Sequence, residues 1–425
     1  MLRKASRKLS ILLTLLLLAV SVAPVLAQER DTANSSLYLP FVMQDGQSST
    51  VAAEEIDPDA DLTDTVETVS AAGHNDDNDA NGAVFVMTNA NDSVRGNEVV
   101  MYSRAADGAL TVTGRFPTGG QGLGAGLGSQ GSLTLSDNGR WLFAVNGGSN
   151  EISVFAVYPI GLVLTDKVAS GGDLPTSLTV RRGLVYVLNA GDPGNITGFK
   201  LNRAGKLTPL ANSTRNLSNN GSGAAPAPAQ LSFSPNGKVL IVTERSTNQI
   251  DTYTVDRQGR ASGPIVHASS GATPFGFAFG KHDTLVVSEA GGGGLPSAVS
   301  SYTLGDDGSL QLVSASVVTG EAAACWIVVT EGGKYAYSTN AGTASLSLFE
   351  VNNNSSLTLL NARSGETGDG TGPTDAAVSR NGRLIYALSP RSQTVIGFRV
   401  QANGALTLVG SFGGLPANAA GVAAW

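Results

Sequence analysis

The sequence predicts an all-β protein, a seven-bladed β-propeller of four-stranded antiparallel blades whose ring is closed by the C-terminal strand. A unit of about 45–55 residues recurs along the chain, which is a period typical of propellers. Each unit alternates apolar and polar residues and carries Asp-Gly or Asn-Gly pairs, which favour tight hairpin turns. Alternation and recurrent glycine also exclude a helical fold.

The repeated unit is visible in three stretches: GSLTLSDNGRWLFAVNGGSNEISVFAV, QLSFSPNGKVLIVTERSTNQIDTYTV and CWIVVTEGGKYAYSTNAGTASLSLFEV. Each reads as a strand, a turn, a second strand, a loop and a third strand, and a fourth strand such as DGSLQLV or NGALTLV follows a second turn. Units begin near Gly131, Thr176, Gln230, Phe275, Ala324 and Asp375.

The first unit, which begins near residue 82, lacks an opening strand. The C-terminal residues NAAGVAAW follow GLP much as DAAVS follows TGPT in the last unit. The C-terminus is therefore expected to supply the missing inner strand, which would close the ring and leave no free inner edge.

The N-terminus indicates export. Arg3, Lys4, Arg7 and Lys8 precede a short apolar run that ends at the small-residue site around Ala27. This pattern predicts a signal peptide over residues 1–27, although a retained membrane anchor remains an alternative. We expect residues 28–81 to form an acidic, mostly disordered tether and residues 82–425 to form the propeller.

The charge distribution separates the tether from the propeller. Between Asp31 and Asp92 there are many acidic residues but no lysine or arginine, so the formal net charge of −7 belongs to this region. The remainder is close to neutral, and it therefore lacks the basic surface that binding to nucleic acid requires.

The sequence gives little support for a reactive thiol or for a metal-binding site. Cys325 is the only cysteine, and it lies in the apolar stretch ACWIVV, where a buried and unreactive thiol is expected. Asp77, Asp79 and Gly82 have the spacing that opens a calcium loop, but Thr88 occupies the position of the required glutamate. We predict no metal site and no cofactor.

Seven polar residues occupy equivalent positions at the ends of the second strands, where the connections between blades also emerge. We call them the strand-end ring: Asn89, Asn146, Asn189, Glu244, Glu289, Asn340 and Ser389. They are expected at one mouth of the central channel. Asparagine at a strand end commonly binds neighbouring backbone, so the asparagines could be purely structural.

Two carboxylates in this ring are harder to explain as structural residues. Glu244 and Glu289 have no donor atoms and need a partner if they are buried. Arg245 could pair with Glu244, or it could bind an anionic group of a substrate. The connection TGGQGLGAGLGSQG (residues 118–131) should cross the same mouth, either as a flexible surface loop or as a loop whose backbone contacts a ligand.

The sequence resembles the seven-bladed lactonases, a family that includes 6-phosphogluconolactonases and 3-carboxymuconate cyclases. The likeness covers residues 82–425 and rests on FSPNGKVLIV, LVVSEA, KYAYSTNAG, NGRLIYAL and the paired turns such as GDDGSL. The resemblance implies a lactone as substrate and an active site at the mouth of the channel.

The resemblance also implies where active residues should lie. Histidines of the family fall on Ala227 and Ala229, and two arginines fall on Phe275 and Ala341. Only the glutamate is kept, as Glu289. Opening a lactone requires proton transfer and a positive charge facing the anion, which alanine and phenylalanine cannot provide.

Two functions are therefore compatible with the sequence. In the first, a hydrolase uses Glu289 or Glu244 as general base while Arg245 stabilises the oxyanion. In the second, a non-catalytic propeller binds a small polar or carbohydrate-type ligand with the ring asparagines. Either function would be carried out by a monomer, and the predicted ligand contacts are Arg245, Asn89, Asn146, Asn189, Asn340, Phe275 and Trp326.

Overall fold

The computed structural model describes residues 82–291 and 296–425, and within these ranges the chain forms seven antiparallel sheets arranged as the blades of a propeller. Two three-residue 3₁₀ helices, Lys281–Asp283 and Glu331–Gly333, are the described helices, and neither is long or apolar enough to cross a membrane. The all-β prediction is confirmed. The predicted signal peptide and the whole predicted tether lie outside the described residues.

The strands of the first four blades follow chain order. Blade 1 contains β1 (Gly82–Met87), β2 (Glu98–Arg104) and β3 (Leu110–Pro117). Blade 2 contains β4 (Leu133–Leu135), β5 (Trp141–Asn146), β6 (Glu151–Tyr158) and β7 (Gly161–Ala169). Blade 3 contains β8 (Pro175–Arg181), β9 (Leu184–Asn189), β10 (Asn195–Leu201), β11 (Leu207–Pro209) and β12 (Arg215–Asn216). Blade 4 contains β13 (Pro228–Phe233), β14 (Val239–Glu244), β15 (Gln249–Val255) and β16 (Ala261–Ala268).

The remaining strands form three further blades and the closing strand. Blade 5 contains β17 (Pro274–Phe279), β18 (Thr284–Glu289), β19 (Ala298–Leu304) and β20 (Leu310–Val318). Blade 6 contains β21 (Ala324–Val329), β22 (Tyr335–Asn340), β23 (Ser345–Val351) and β24 (Leu357–Glu366). Blade 7 contains β25 (Asp375–Val378), β26 (Leu384–Ser389), β27 (Thr394–Val400) and β28 (Leu406–Phe412), and β29 (Ala420–Ala424) ends the chain.

The ring closes as the sequence predicts. Strand β29 pairs antiparallel with β1, with Val84 opposite Ala424 and Val86 opposite Val422, so the C-terminus provides the inner strand of blade 1. The last residue is held in place, because its ring packs against Gly139 and lies 4.2 Å from the guanidinium carbon of Arg380.

The core lies between the blades, because each sheet is covered on both faces by its neighbours. The second strands are consequently buried along their whole length in blades 2, 4, 5, 6 and 7, as in WLFAVN and LIYALS. The fourth strands form the outer surface and alternate exposed with half-buried residues. Burial of large apolar side chains at roughly 25 cal/mol per Å² stabilises this arrangement.

Candidate functional site

The strand-end ring lies where the connections between blades run, but its side chains are directed into the protein. All seven members are at most 1% exposed. Each side chain forms hydrogen bonds, mostly with the segment that arrives from the preceding blade or with the adjoining third strand.

Asn146 shows how these residues act. Its Oδ1 accepts hydrogen bonds from Asn97 Nδ2 at 3.0 Å and from Thr118 Oγ1 at 2.7 Å, both in blade 1 or its outgoing connection. Its Nδ2 donates to Ser153 Oγ at 2.8 Å on the adjacent strand. A single amide thus joins two blades and satisfies buried polar groups that water cannot reach.

Glu289 takes the same position in blade 5. Its Oε1 accepts hydrogen bonds from the backbone nitrogen of Gly271 at 2.8 Å and from Ser300 Oγ at 2.5 Å. Its Oε2 is buried and has no hydrogen-bond partner within the described part of the chain. The residue that the lactonase resemblance keeps is therefore anchored inside its blade, and its catalytic role stays a prediction.

Glu244 differs because it faces a second acid. Ser218 donates its backbone N–H to Oε1 at 3.0 Å and its hydroxyl to Oε2 at 2.5 Å, and Thr247 Oγ1 donates at 2.7 Å. Burial and the neighbouring Glu244 carboxylate raise the pKa of Asp251 to about 8, and the Tyr253 hydroxyl donates to Asp251 Oδ2 at 3.4 Å. Asp251 is therefore mostly protonated at neutral pH, because its ionisation would place a second buried negative charge beside Glu244.

A second group of side chains, the inner cluster, lies closer to the channel. It comprises Ala229, Arg245, Phe275, Cys325 and Trp326. Phe275 and Trp326 are in ring contact with centroids 4.8 Å apart, and the Arg245 guanidinium carbon lies 5.3 Å from the centre of the Phe275 ring. Three of the residues predicted to contact a ligand are thus brought together.

Arg245 is not the ionic partner of Glu244. Its Nε donates to the backbone oxygen of Ala227 at 3.1 Å, and it forms no salt bridge with any carboxylate in residues 82–291 or 296–425. Partial burial lowers the pKa of the guanidinium, which still remains charged. Burial also raises the pKa of the neighbouring Cys325 thiol to about 12, which makes that thiol a poor nucleophile.

The glycine-rich connection crosses the channel, as the sequence predicts. Gln130 receives a hydrogen bond from Ile327 N at 3.1 Å and donates to Ile327 O at 2.7 Å in blade 6. Its own backbone N–H donates to Ala229 O in blade 4 at 3.0 Å. Gly276 of blade 5 is required here, because an added Cβ would come within 2.1 Å of Gln130 Oε1. Residues 128–131 therefore form a strut across the channel.

Beside the strut is a cavity of about 290 Å³. Its wall is formed by the segment Gly126–Ser129, by the Trp326 ring, by Thr374 and Pro390 of blade 7, and by residues 417–421. Arg245 borders the same segment, because its Nη1 lies 3.0 Å from the position that a Cβ on Gly128 would take. This volume suits a small ligand of the size of a single sugar.

Asp375, which the sequence marks only as the start of a unit, adjoins Thr374 of the cavity wall but is itself only 3% exposed. Its oxygens accept hydrogen bonds from the backbone nitrogens of Ala376 at 2.8 Å and Val422 at 3.3 Å. Burial raises the pKa of Asp375 to about 8. A neutral carboxylic acid one residue from the cavity wall is a candidate proton donor, and only the packing of β25 against β29 reveals it.

Within the part of the chain that the structure describes, no group of three or more histidine, cysteine, aspartate or glutamate side chains has an arrangement suited to a metal ion. Asp77 and Asp79 of the calcium-like fragment lie outside that part.

The fold and the sequence both relate this chain to lactonases. The profile of the family described as "Lactonase, 7-bladed beta-propeller" matches residues 93–218, 194–324 and 296–424. A 6-phosphogluconolactonase from Yersinia enterocolitica is 26% identical over 165 residues, a match that spans 38% of this chain and 45% of that enzyme.

Solved structures agree at the level of the fold. A putative 6-phosphogluconolactonase from Bacteroides fragilis superposes with a TM-score of 0.63 at 18% identity, covering 82% of this chain and 98% of that one. The periplasmic gluconolactonase of Pseudomonas aeruginosa gives 0.63 at 16% identity, with 81% and 99% covered. The three profile matches together span almost the entire propeller, and the chain therefore belongs to the seven-bladed β-propeller lactonase family.

Proposed function

We propose that this protein binds a small anionic ligand, a sugar acid or its lactone, at the strut-side mouth of the central channel. It would act as a monomer exported from the cell. The basic and apolar N-terminus supports export, and the gluconolactonase and 6-phosphogluconolactonases named above support the ligand class.

The proposal rests on the burial of the Arg245 guanidinium and on its charge. A half-buried guanidinium has lost part of its hydration, and here no carboxylate of the described residues compensates for it. A carboxylate or phosphate of a ligand would restore that balance through charge-assisted hydrogen bonds.

The position of this cation also fits the family. The arginine that the resemblance expects at Phe275 is missing, but Arg245 places its guanidinium over the Phe275 ring from the preceding blade. The positive charge is thus supplied from another position, and the Trp326 ring provides an apolar wall against which a sugar can pack.

Binding to Arg245 can be measured on the full chain by calorimetry with gluconate and 6-phosphogluconate as probes. Arg245→Met should weaken binding of either probe by about tenfold or more, because a charge-assisted contact is worth at least about 1.4 kcal/mol. Arg203→Met, which removes an exposed arginine from a turn of blade 3, is the matched control. Equal affinities for the parent and Arg245→Met would refute the site.

Hydrolysis of the lactone is the second candidate function, and Asp375 favours it. A carboxylic acid that stays protonated near neutral pH, adjoining Thr374 of the cavity wall, could protonate the leaving oxygen as the ring opens. Glu289 and Glu244 remain the alternative bases.

A pH-stat assay with glucono-1,5-lactone separates these roles. Asp375→Asn, Glu289→Gln and Glu244→Gln would each be compared with the parent, and circular dichroism would confirm that every variant is folded. Loss of turnover in one variant identifies the residue required. Turnover that survives in all three would exclude hydrolysis by these carboxyl groups, and a parent without turnover would leave the binding function alone.

A further inference from the structure

At the end of the propeller opposite the strut, loops of equal length cover most of the blades. In the described residues, six blades join their third and fourth strands by a five-residue loop. These loops are residues 105–109, 202–206, 256–260, 305–309, 352–356 and 401–405.

Each loop packs onto the blade that precedes it in the ring. Its tip offers a backbone carbonyl oxygen to a hydroxyl group of that blade. The contacts are Tyr386 Oη to Gly108 O at 2.9 Å, Thr165 Oγ1 to Gly205 O at 3.0 Å, Tyr186 Oη to Gly259 O at 2.8 Å, Thr252 Oγ1 to Gly308 O at 2.6 Å, Ser301 Oγ to Ser355 O at 2.7 Å and Tyr337 Oη to Gly404 O at 2.5 Å.

Blade 2 breaks this pattern. Tyr158 pairs directly with Gly161, so that the connection shrinks to Pro159 and Ile160. Ile160 is 90% exposed and Tyr158 is 52% exposed, in contrast to the polar loops of the other blades. The blade that this shortened turn leaves uncovered is blade 1.

A groove of about 730 Å³ lies over that uncovered part of blade 1. Phe85, Met101 and the C-terminal Trp425 contribute its apolar surface, and Arg104 and Arg140 contribute positive charge. A third arginine, Arg380, stacks on the Trp425 ring from outside the lining. No aspartate or glutamate is present among the described residues that line the groove, so its occupant should be anionic.

We propose that the acidic segment NDDNDAN of this chain, residues 75–81, occupies the groove in place of the missing loop. Gly82, to which this segment is joined, itself lines the groove. Seven residues reach at most about 25 Å, which is enough to cross a cavity of this size. Asp76, Asp77 and Asp79 would face the arginines.

The pairing has a structural consequence, because blade 1 is also the blade that the C-terminal strand completes. Arg104 donates from Nη2 to the backbone oxygen of Trp425 at 3.3 Å, so the groove lies directly on the closing strand. A segment bound there would cover both chain ends of the propeller. Surface ion pairs are individually weak, and the contact should therefore weaken with salt.

The test measures how fast the Arg140 side chain reacts with phenylglyoxal in the full chain, by mass spectrometry of its peptides. In the triple variant Asp76→Asn, Asp77→Asn, Asp79→Asn, modification of Arg140 should become several-fold faster. The exposed Arg203 serves as internal reference. The matched control replaces Asp59, Asp61 and Asp64 by asparagine, and it should leave the rate unchanged.

High salt should accelerate the modification of Arg140 in the parent and leave the triple variant unaffected. Equal Arg140 rates in the parent and the triple variant at low salt would overturn the proposal. Protection that rises with protein concentration would indicate that a second copy covers the groove, and it would overturn the proposal as well.

Discussion

The strand-end ring and the inner cluster lie at the same end of the propeller, yet their polar groups differ in how completely they are hydrogen-bonded. The ring is polar, and its asparagines and glutamates are bound by backbone, amide and hydroxyl groups of their own blade and of the segment from the preceding blade. The inner cluster is mostly apolar, and its one cation, Arg245, has only the Ala227 carbonyl as a hydrogen-bond partner among the described residues.

This difference distinguishes polar residues that stabilise the fold from polar residues that can bind a ligand. A buried amide such as Asn146 that satisfies several neighbours is needed for the fold, because its loss leaves those neighbours unpaired. A desolvated guanidinium without a counterion contributes little to folding and is available to an anion. Substitutions should therefore separate stability from binding.

The largest effect should come from pH. The pKa of Asp375 is about 8 in the folded protein and near 4 when unfolded, so folding keeps a proton that the unfolded chain loses. This contribution to stability is complete below pH 4 and is lost as the pH rises to about 8, at up to about 1.4 kcal/mol per pH unit.

Urea denaturation of the parent between pH 4 and pH 9 measures this loss. Asp375→Asn cannot ionise, and its free energy of unfolding should change less steeply between pH 4 and pH 8. Identical slopes for the two proteins would show that Asp375 is ionised in the folded state. Asp251, whose pKa is also raised to about 8, should account for part of the slope that remains.

Asn146→Ala should produce the next largest loss, about 3 kcal/mol in the free energy of unfolding. The change removes a donor and an acceptor and leaves Asn97, Thr118 and Ser153 with buried groups to satisfy. Urea denaturation at constant pH measures it. Gln258→Ala, in an exposed loop, should cost less than about 0.5 kcal/mol as control.

Gln130→Ala should cost about 2 kcal/mol, because both backbone groups of Ile327 lose their side-chain partner. The strut would also lose a fixed position, so affinity for gluconate should fall together with stability. A variant with parental stability and parental affinity would show that Gln130 does not hold the strut.

Arg245→Met should have the smallest effect on stability, under about 1 kcal/mol, because methionine keeps an unbranched apolar stem against Phe275. Thermal denaturation measures it alongside the binding assay described above. A loss of stability comparable to that of Asn146→Ala would show that Arg245 stabilises the fold. That result would contradict the proposed binding role.

Much of the fold could be predicted because it depends on local signals. Turn pairs such as Asn138-Gly139, where Gly139 has a φ of +67°, and strict alternation set the strands, and repetition set the number of blades. Pairing of β29 with β1 could also be predicted, because a strand missing at one end and an extra strand at the other have one solution.

The candidate site was only partly predictable. Arg245, Phe275 and Trp326 were selected from the sequence and do meet, but the alignment of repeats could not show that Glu244 turns away from Arg245 towards Asp251. Asp375 and Gln130 carried no distinctive motif. Their environments are created by chain segments from other blades, such as Val422 and Ile327.

The propeller, its number of blades and its closure could be predicted from the sequence alone, because hairpin turns and alternating strands depend on neighbours along the chain. Which buried polar residues have hydrogen-bond partners is visible only in the folded structure. The partners of Asn146 and Asp375 come from other blades, as does the Phe275 ring next to Arg245, and desolvation depends on how those blades pack. Burial and charge compensation are properties of the assembled ring, and they separate a structural polar residue from one that can bind a ligand.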